Sequence, residues 1–360
     1  MIDSRPSYHH DHRATSSILG KLLHKVSAIA IPVDETCTKY CERIGGEIKF
    51  LSETLICLRF LGNDSKERSA MLRLIKDLLL HRHTMLSYAL NPSLSSWYLN
   101  TVAMLQEFFD LRAEKKFVLS LVEFYGTLDE DAPIYRNEER KFLMALLQGE
   151  KYTPERMSIP KRFYYYTRDQ IYAATHLLFY LNGYGSDRYV VDEATVVALE
   201  HLLVRSYRER NLDLMLELLL SYQSIAGVDS VKCAMFHHLL CKLIGRTPRF
   251  LSLLVEGNGS HFDEFYHQAL LYLLLVSSRC FPEEHEGFDV DAYRETVATY
   301  RFYSSLRSHN YVNAARQYRR LPAGPEMRSA FHKAHFDAYL ESQKLLVLGR
   351  NGGGILPGAS

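Results

Sequence analysis

The stretch "YYYTRDQIYAATHLLFYLNGYG", Tyr164 to Gly185, decides how this chain is read. Positions 169, 172, 176 and 180 recur at i, i+3, i+7 and i+11. On a helix they place Asp169, Tyr172, His176 and Tyr180 on one stripe. The remaining faces carry Ile171, Ala173, Ala174, Leu177, Leu178, Phe179 and Leu181. A stripe facing open solvent is normally built from Lys, Glu, Arg and Gln, and this one has none of them. Tyrosine, histidine and aspartate suit a wall that is partly dry and partly polar, because each needs a hydrogen-bond partner once buried.

Helical periodicity extends outward from this segment in both directions, and strand-like alternation is almost absent. Candidate helices lie near 15–31, 34–61, 65–90, 94–111, 114–126, 136–148 and 167–182. They continue near 192–208, 211–226, 230–244, 248–256, 261–279, 289–307, 310–320 and 325–348. Turn-forming runs separate them, among them "NPS" at 91–93, "DEDAP" at 129–133, "NGYGSD" at 182–187 and "LPAGP" at 321–325. Short links join antiparallel neighbours, so the expected fold is all-α, an array of antiparallel helical hairpins. An α/α toroid and an irregular solenoid are both open to such an array, and no repeat of fixed period marks a regular solenoid. The expected organisation is a disordered N-terminus at 1–14, a helical part at 15–126, a charged, proline-containing connector at 127–162, a main helical part at 163–347, and a glycine-rich disordered tail at 348–360.

Composition narrows the function classes. Forty-three basic residues against 42 acidic ones leave a formal charge of +1, which provides no global field for nucleic acid or anionic membrane. The basic runs "RSYRER" and "RQYRR" fall on amphipathic patterns and read as solvated helix faces. No secretory leader is visible, and the apolar run Leu270 to Val276 falls far short of the roughly 20 residues that span a bilayer. The six cysteines show no CxxC pair and no disulfide spacing, as expected of reduced thiols in a cytoplasmic protein.

The opening stripe carries the first chemical candidates. His176 has the chemistry of a general base or metal ligand, and Tyr172 and Tyr180 that of phenol donors to a developing oxyanion. Asp169 and Tyr164 are candidates for substrate contact. Asp169 and His176 lie two turns apart, about 10 Å by helix rise, so they form no direct dyad. The bland alternative is a core histidine bonded to a neighbouring helix, with Asp169 answering the helix dipole.

In "NLDLMLELLL", Asp213 and Glu217 stand at i and i+4 on a helix otherwise made of leucine and methionine. Two carboxylates one turn apart can share a divalent metal or divide acid and base roles. Asn211 as N-cap and the helix dipole account for Asp213 but less well for Glu217. The divalent metal set this pattern offers is His176, Asp213 and Glu217.

Other constellations carry less. Cys233, His237 and Cys241 share a face, but the outer pair is about 12 Å apart, too far for one zinc ion without another element. His81 and His83 project in different directions, and "SYHHDHR" at 7–13 reads as a terminus. There is no GxGxxG, GxxxxGK[ST], HExxH, GxSxG or DDxxD motif.

The pattern Thr175-His176-x-x-Phe179-Tyr180, followed by Gly183 or Gly185 and then by "DLMLELLL" from Asp213, resembles an uncharacterised family of bacterial all-helical proteins. The resemblance covers roughly 167–225. It implies an all-α fold and a bacterial source, often near natural-product genes, and brings no assigned reaction or catalytic residue.

Two functions stay open. One is an enzyme of bacterial natural-product chemistry with a Tyr-, His- and acid-lined pocket for a small molecule or peptide. Twenty-four tyrosines against one tryptophan favour a flat or amphipathic ligand, and the reaction is a cyclisation, an elimination or a metal-assisted oxidation. The other is a non-catalytic helical scaffold that binds a peptide or protein in a concave groove.

Overall fold

A computed structural model describes residues 12–29, 37–61, 66–91, 94–126, 134–153, 166–181, 183–184, 189–223, 225, 260–277, 290–308 and 310–318. Among the described residues there are thirteen α-helices and no strand, with one isolated bridge between Tyr189 and Ile225. The chain is all-α.

The helices are α1 (His12–Ala28), α2 (Cys37–Phe60), α3 (Lys66–Leu79), α4 (Arg82–Leu90), α5 (Ser95–Leu105), α6 (Arg112–Gly126) and α7 (Ile134–Gln148). They continue with α8 (Arg168–Leu181), α9 (Glu193–Arg208), α10 (Leu212–Gln223), α11 (Ser260–Ser277), α12 (Val290–Arg307) and α13 (Tyr311–Tyr318). No helix among the described residues is long and apolar enough to cross a membrane. The expected helices near 230–244, 248–256 and 325–348, and the tail, lie outside the described residues.

Local chemistry sets the boundaries that position the site. At the start of α8, the Thr167 hydroxyl accepts from the Gln170 amide at 3.3 Å and the Gln170 side chain accepts from the Thr167 amide at 2.9 Å. That reciprocal box satisfies two of the first-turn amides. Asp192 caps α9 by accepting from the Thr195 amide, and Asn211 caps α10 by accepting from the Leu214 amide. Arg210, at φ 57°, makes the left-handed reversal between those two helices.

Several boundaries differ from the sequence expectation; the helix expected at 94–111, for one, ends at Leu105. The segment 65–90 is two helices, broken at Leu80 and His81. The Leu78 carbonyl accepts from the Thr84 hydroxyl, and His81 turns extended (ψ 142°) to cap α4 through its ring, which accepts from the His83 amide. Side-chain capping here overrides a continuous periodicity. At the N-terminus, α1 begins at His12, inside the segment expected to be disordered.

The chain forms two compact units, Met1–Val290 and Asp291–Ser360. In the first, six helices close a ring: α2 packs on α5, α5 on α7, α7 on α8, α8 on α10, α10 on α11, and α11 back on α2. The segment 127–162 thus supplies one ring member, α7.

Specific contacts hold several seams. The Gln106 amide, just past α5, donates to the Leu146 carbonyl of α7 at 2.8 Å, and Phe142 of α7 stacks on Tyr180 of α8 at 5.4 Å. Between α2 and α11, Phe50 meets Tyr266 edge-on at 5.0 Å, and the Cys57 thiol donates to the Leu270 carbonyl at 3.7 Å. Around these seams Leu51, Leu55 and Leu58 of α2, Leu218 of α10 and Leu273 of α11 are fully buried. Each such side chain contributes about 1.5–3 kcal/mol of apolar burial. Outside the ring, α3 and α4 pack on α2, α6 on α5, and α9 on α10, while α1 packs on α3.

The second unit holds α13 and nearly all of α12. Asn310 caps α13 by accepting from the Asn313 amide, and Asn313 donates to Ser305 of α12 at 2.7 Å.

Candidate functional site

A cavity of about 500 Å³ lies among these helices, and every one of the six contributes to its lining. One part of the lining is charged and another is aromatic, and Tyr172 belongs to both.

The charged side is organised on His267 of α11. Its Nδ1 lies 3.2 Å from Glu53 Oε2 on α2. Its Nε2 faces two carboxylates of α10, Asp213 Oδ1 at 3.4 Å and Glu217 Oε1 at 3.5 Å. The i, i+4 spacing puts both acids on the face of α10 that looks at α11. Each acid is tied from behind by α8: the Tyr172 hydroxyl donates to Asp213 Oδ2, and the Thr175 hydroxyl donates to Glu217 Oε2. Glu217 and Thr175 are buried, at 1% and 0% exposure. Lys49, near the outside, pairs with Glu53 at 3.7 Å.

Proton affinities follow from this crowding. Burial alone would depress the His267 imidazolium, but its contacts with Glu217 and Glu53 and the charge of Asp213 outweigh burial and push it up to about 10. Burial would raise Glu53, yet the neighbouring imidazole and Lys49 hold its carboxyl low. Asp213 is raised, first by burial and then by the nearby charges of Glu217 and Glu53, against the opposing pull of His267 and Tyr172. Burial and Asp213 together push the Tyr172 phenol up, so it stays protonated.

The aromatic side is built by α8 and the turn after it. His176 stacks on Tyr180 at 6.4 Å and 9°, and on Tyr172 at 6.4 Å and 26°, with Phe179 edge-on at 6.0 Å. Tyr184 sits at φ 58°, a left-handed conformation unfavourable for a residue with a side chain. Its ring is held there by Phe60, Phe142, Phe179 and Tyr180, at 5.5 to 6.1 Å. Trp97 and Glu139 also line the cavity.

Most of the residues read from sequence therefore meet. Tyr172, His176, Tyr180, Asp213 and Glu217 all line the one cavity. Asp169 does not; it is exposed on the first turn of α8. Tyr164 lies outside the described residues, as do Cys233, His237 and Cys241.

The histidine that joins the two acids is His267, with His176 on the aromatic wall. Among the described residues Asp213, Glu217 and His267 are the set able to hold a metal ion, their ligand atoms lying within 4.8 Å of one another. Neither Glu53 nor His267 was singled out by sequence reasoning. The available signal was the one that had marked Glu217, a charged or titratable residue embedded in an apolar helix: "FLSETLICL" around Glu53 and "HQALLYLLLV" from His267.

The chain belongs to the family described as Domain of unknown function (DUF6895), whose model matches residues 44–240, more than half of its length. That span begins within α2 and ends before α11, so it includes Glu53, Tyr172, His176, Asp213 and Glu217 but not His267. No curated protein and no solved structure matches the chain.

Proposed function

We propose that the chain is a cytoplasmic enzyme of bacterial natural-product chemistry that transforms a small, partly apolar molecule inside the six-helix cavity. One observation carries this reading: three carboxylates and an imidazole converge in one part of a cavity lining of which another part is aromatic. Gathering like charges away from water costs several kcal/mol per ion and adds little to stability over an apolar core. An active site uses such an arrangement directly.

The chemistry that fits is proton transfer, in a cyclisation or an elimination. Asp213, its carboxyl raised by burial, takes a proton from the substrate through its unbonded Oδ1 and returns it to another substrate atom. The protonated Tyr172 phenol orients that carboxyl by donating to Oδ2. The stacked rings of His176 and Tyr180 receive a flat or hydrophobic portion of the substrate. The acidic side disfavours anions, so the substrate is neutral or cationic, which also argues against nucleic acid. The resemblance of the Thr175–Tyr180 segment to bacterial proteins encoded near natural-product genes supports the biological setting. A peptide-binding scaffold is the weaker reading, because the charged groups bond to one another across three helices, α8, α10 and α11, and to α2.

The test is a panel of neutral, cationic and anionic amphipathic compounds, read by thermal shift and by mass spectrometry for conversion. Neutral or cationic members should raise Tm, and Asp213→Asn should abolish conversion while keeping the shift. A panel in which only anions bind, or an Asp213→Asn variant that converts substrate normally, refutes the proposal.

A further inference from the structure

The polar atoms of the charged side divide into two sets. Asp213 Oδ2, Glu217 Oε2 and His267 Nδ1 are each engaged from outside, by Tyr172, Thr175 and Glu53 respectively. Asp213 Oδ1, Glu217 Oε1 and His267 Nε2 face one another. This inner set has little bonding of its own. Asp213 Oδ1 is buried and accepts no hydrogen bond, and the two approaches to Nε2, 3.4 and 3.5 Å, are long for a charge-assisted hydrogen bond of about 2.7–2.9 Å. A single Nε2–H also cannot point at two carboxylates at once.

We infer that Asp213, Glu217 and His267 bind one divalent transition-metal cation through Oδ1, Oε1 and Nε2. Two donors each about 2.1 Å from a tetrahedral ion lie about 3.4 Å apart, the spacing that Nε2 keeps from both oxygens. The outer partners are those that metal ligands require. A ligating histidine gives its other N–H to a carboxylate, as His267 can to Glu53, and ligating carboxylates are fixed by further hydrogen bonds, as Tyr172 and Thr175 provide.

The imidazole selects against magnesium and calcium, which prefer all-oxygen sites, and suits zinc or iron(II), while the two carboxylates also accommodate manganese(II). With three protein ligands, a coordination position is left for a substrate atom or water, the arrangement of catalytic rather than structural metal sites. The inference concerns the same cavity as the proposed enzyme but does not depend on turnover: a bound cation takes Asp213 Oδ1, so the ligand and proton-accepting uses of Asp213 are alternatives.

The experiment uses the full chain, stripped with a chelator and titrated with zinc(II), manganese(II) and cobalt(II) in the absence of any organic ligand. Calorimetry measures affinity, and the cobalt absorption spectrum reports coordination geometry. One saturable site is expected, weakened at least 100-fold in Glu217→Gln and His267→Gln, while Glu53→Gln and Thr175→Val lose about 10–100-fold. His176→Gln should bind as wild type does, and circular dichroism confirms that each variant is folded. Absence of a saturable site, or undiminished binding in folded His267→Gln, overturns the inference. Metal binding without conversion of any compound would leave it standing and count against the enzyme alone.

Discussion

Thr175 on α8 donates its hydroxyl proton to the carboxylate of Glu217 on α10, joining two side chains that water barely reaches. Thr175→Val removes that donor while keeping the shape, so one oxygen of a buried carboxylate loses its bond. The cost expected is about 1–3 kcal/mol in denaturant unfolding of the metal-free protein. Glu217→Leu removes the stranded acceptor, so the double variant should be more stable than the sum of the two single changes predicts. Strict additivity would mean that the bond contributes nothing.

His267 makes the metal-free protein sensitive to alkali. Its imidazolium is pushed up to about 10 in the folded chain, against about 6.5 when unfolded. The stabilisation from its charged form is therefore complete below about pH 6.5 and is lost as pH rises through about 10. His267→Gln removes that contribution. The difference in unfolding free energy between wild type and variant should shrink steadily from pH 6.5 to 10.5, and a constant difference would contradict the assigned charge state.

Tyr184 reverses the usual ranking of alanine and glycine. At φ 58° an alanine keeps the left-handed penalty of about 1–2 kcal/mol, whereas glycine does not. Both substitutions lose the ring packed among Phe60, Phe142, Phe179 and Tyr180. Thermal unfolding should find both variants destabilised and Tyr184→Ala the lower in Tm. The opposite order would show that the turn relaxes once the ring is gone.

Cys57 should be inert in the native protein. It is fully buried, burial pushes its thiol pKa up, and its S–H is directed at the Leu270 carbonyl. Brief alkylation followed by peptide mapping should leave Cys57 unmodified under native conditions and modified after denaturation. Rapid native labelling would mean that the α2–α11 seam opens readily.

What could be read in advance was local. Tyr172, His176 and Tyr180 were identifiable because 3.6-residue periodicity alone puts them on one stripe, and Asp213 and Glu217 because one turn separates them. The capping of α10 by Asn211 followed from the same local chemistry. His267 and Glu53 were not legible as partners, since 214 positions separate them and only ring closure brings them together. Asp169 shared the stripe by arithmetic, yet it stands in the first turn, where α8 has emerged from the packing. The break between α3 and α4 was hidden because a hydroxyl and an imidazole make it, without glycine or proline.

The ring also sets an order of events at the ribosome. The seam between α2 and α11 joins Cys57 to Leu270 across 213 positions, so α2 is made long before the helix that covers it. At 5–20 residues per second that interval lasts about 10–40 s. During it Phe50 and Cys57 lack their partners Tyr266 and Leu270 on α11. Such non-local closure slows folding and lengthens exposure to aggregation, so the yield of folded protein depends on what shelters α2 until synthesis reaches residue 277.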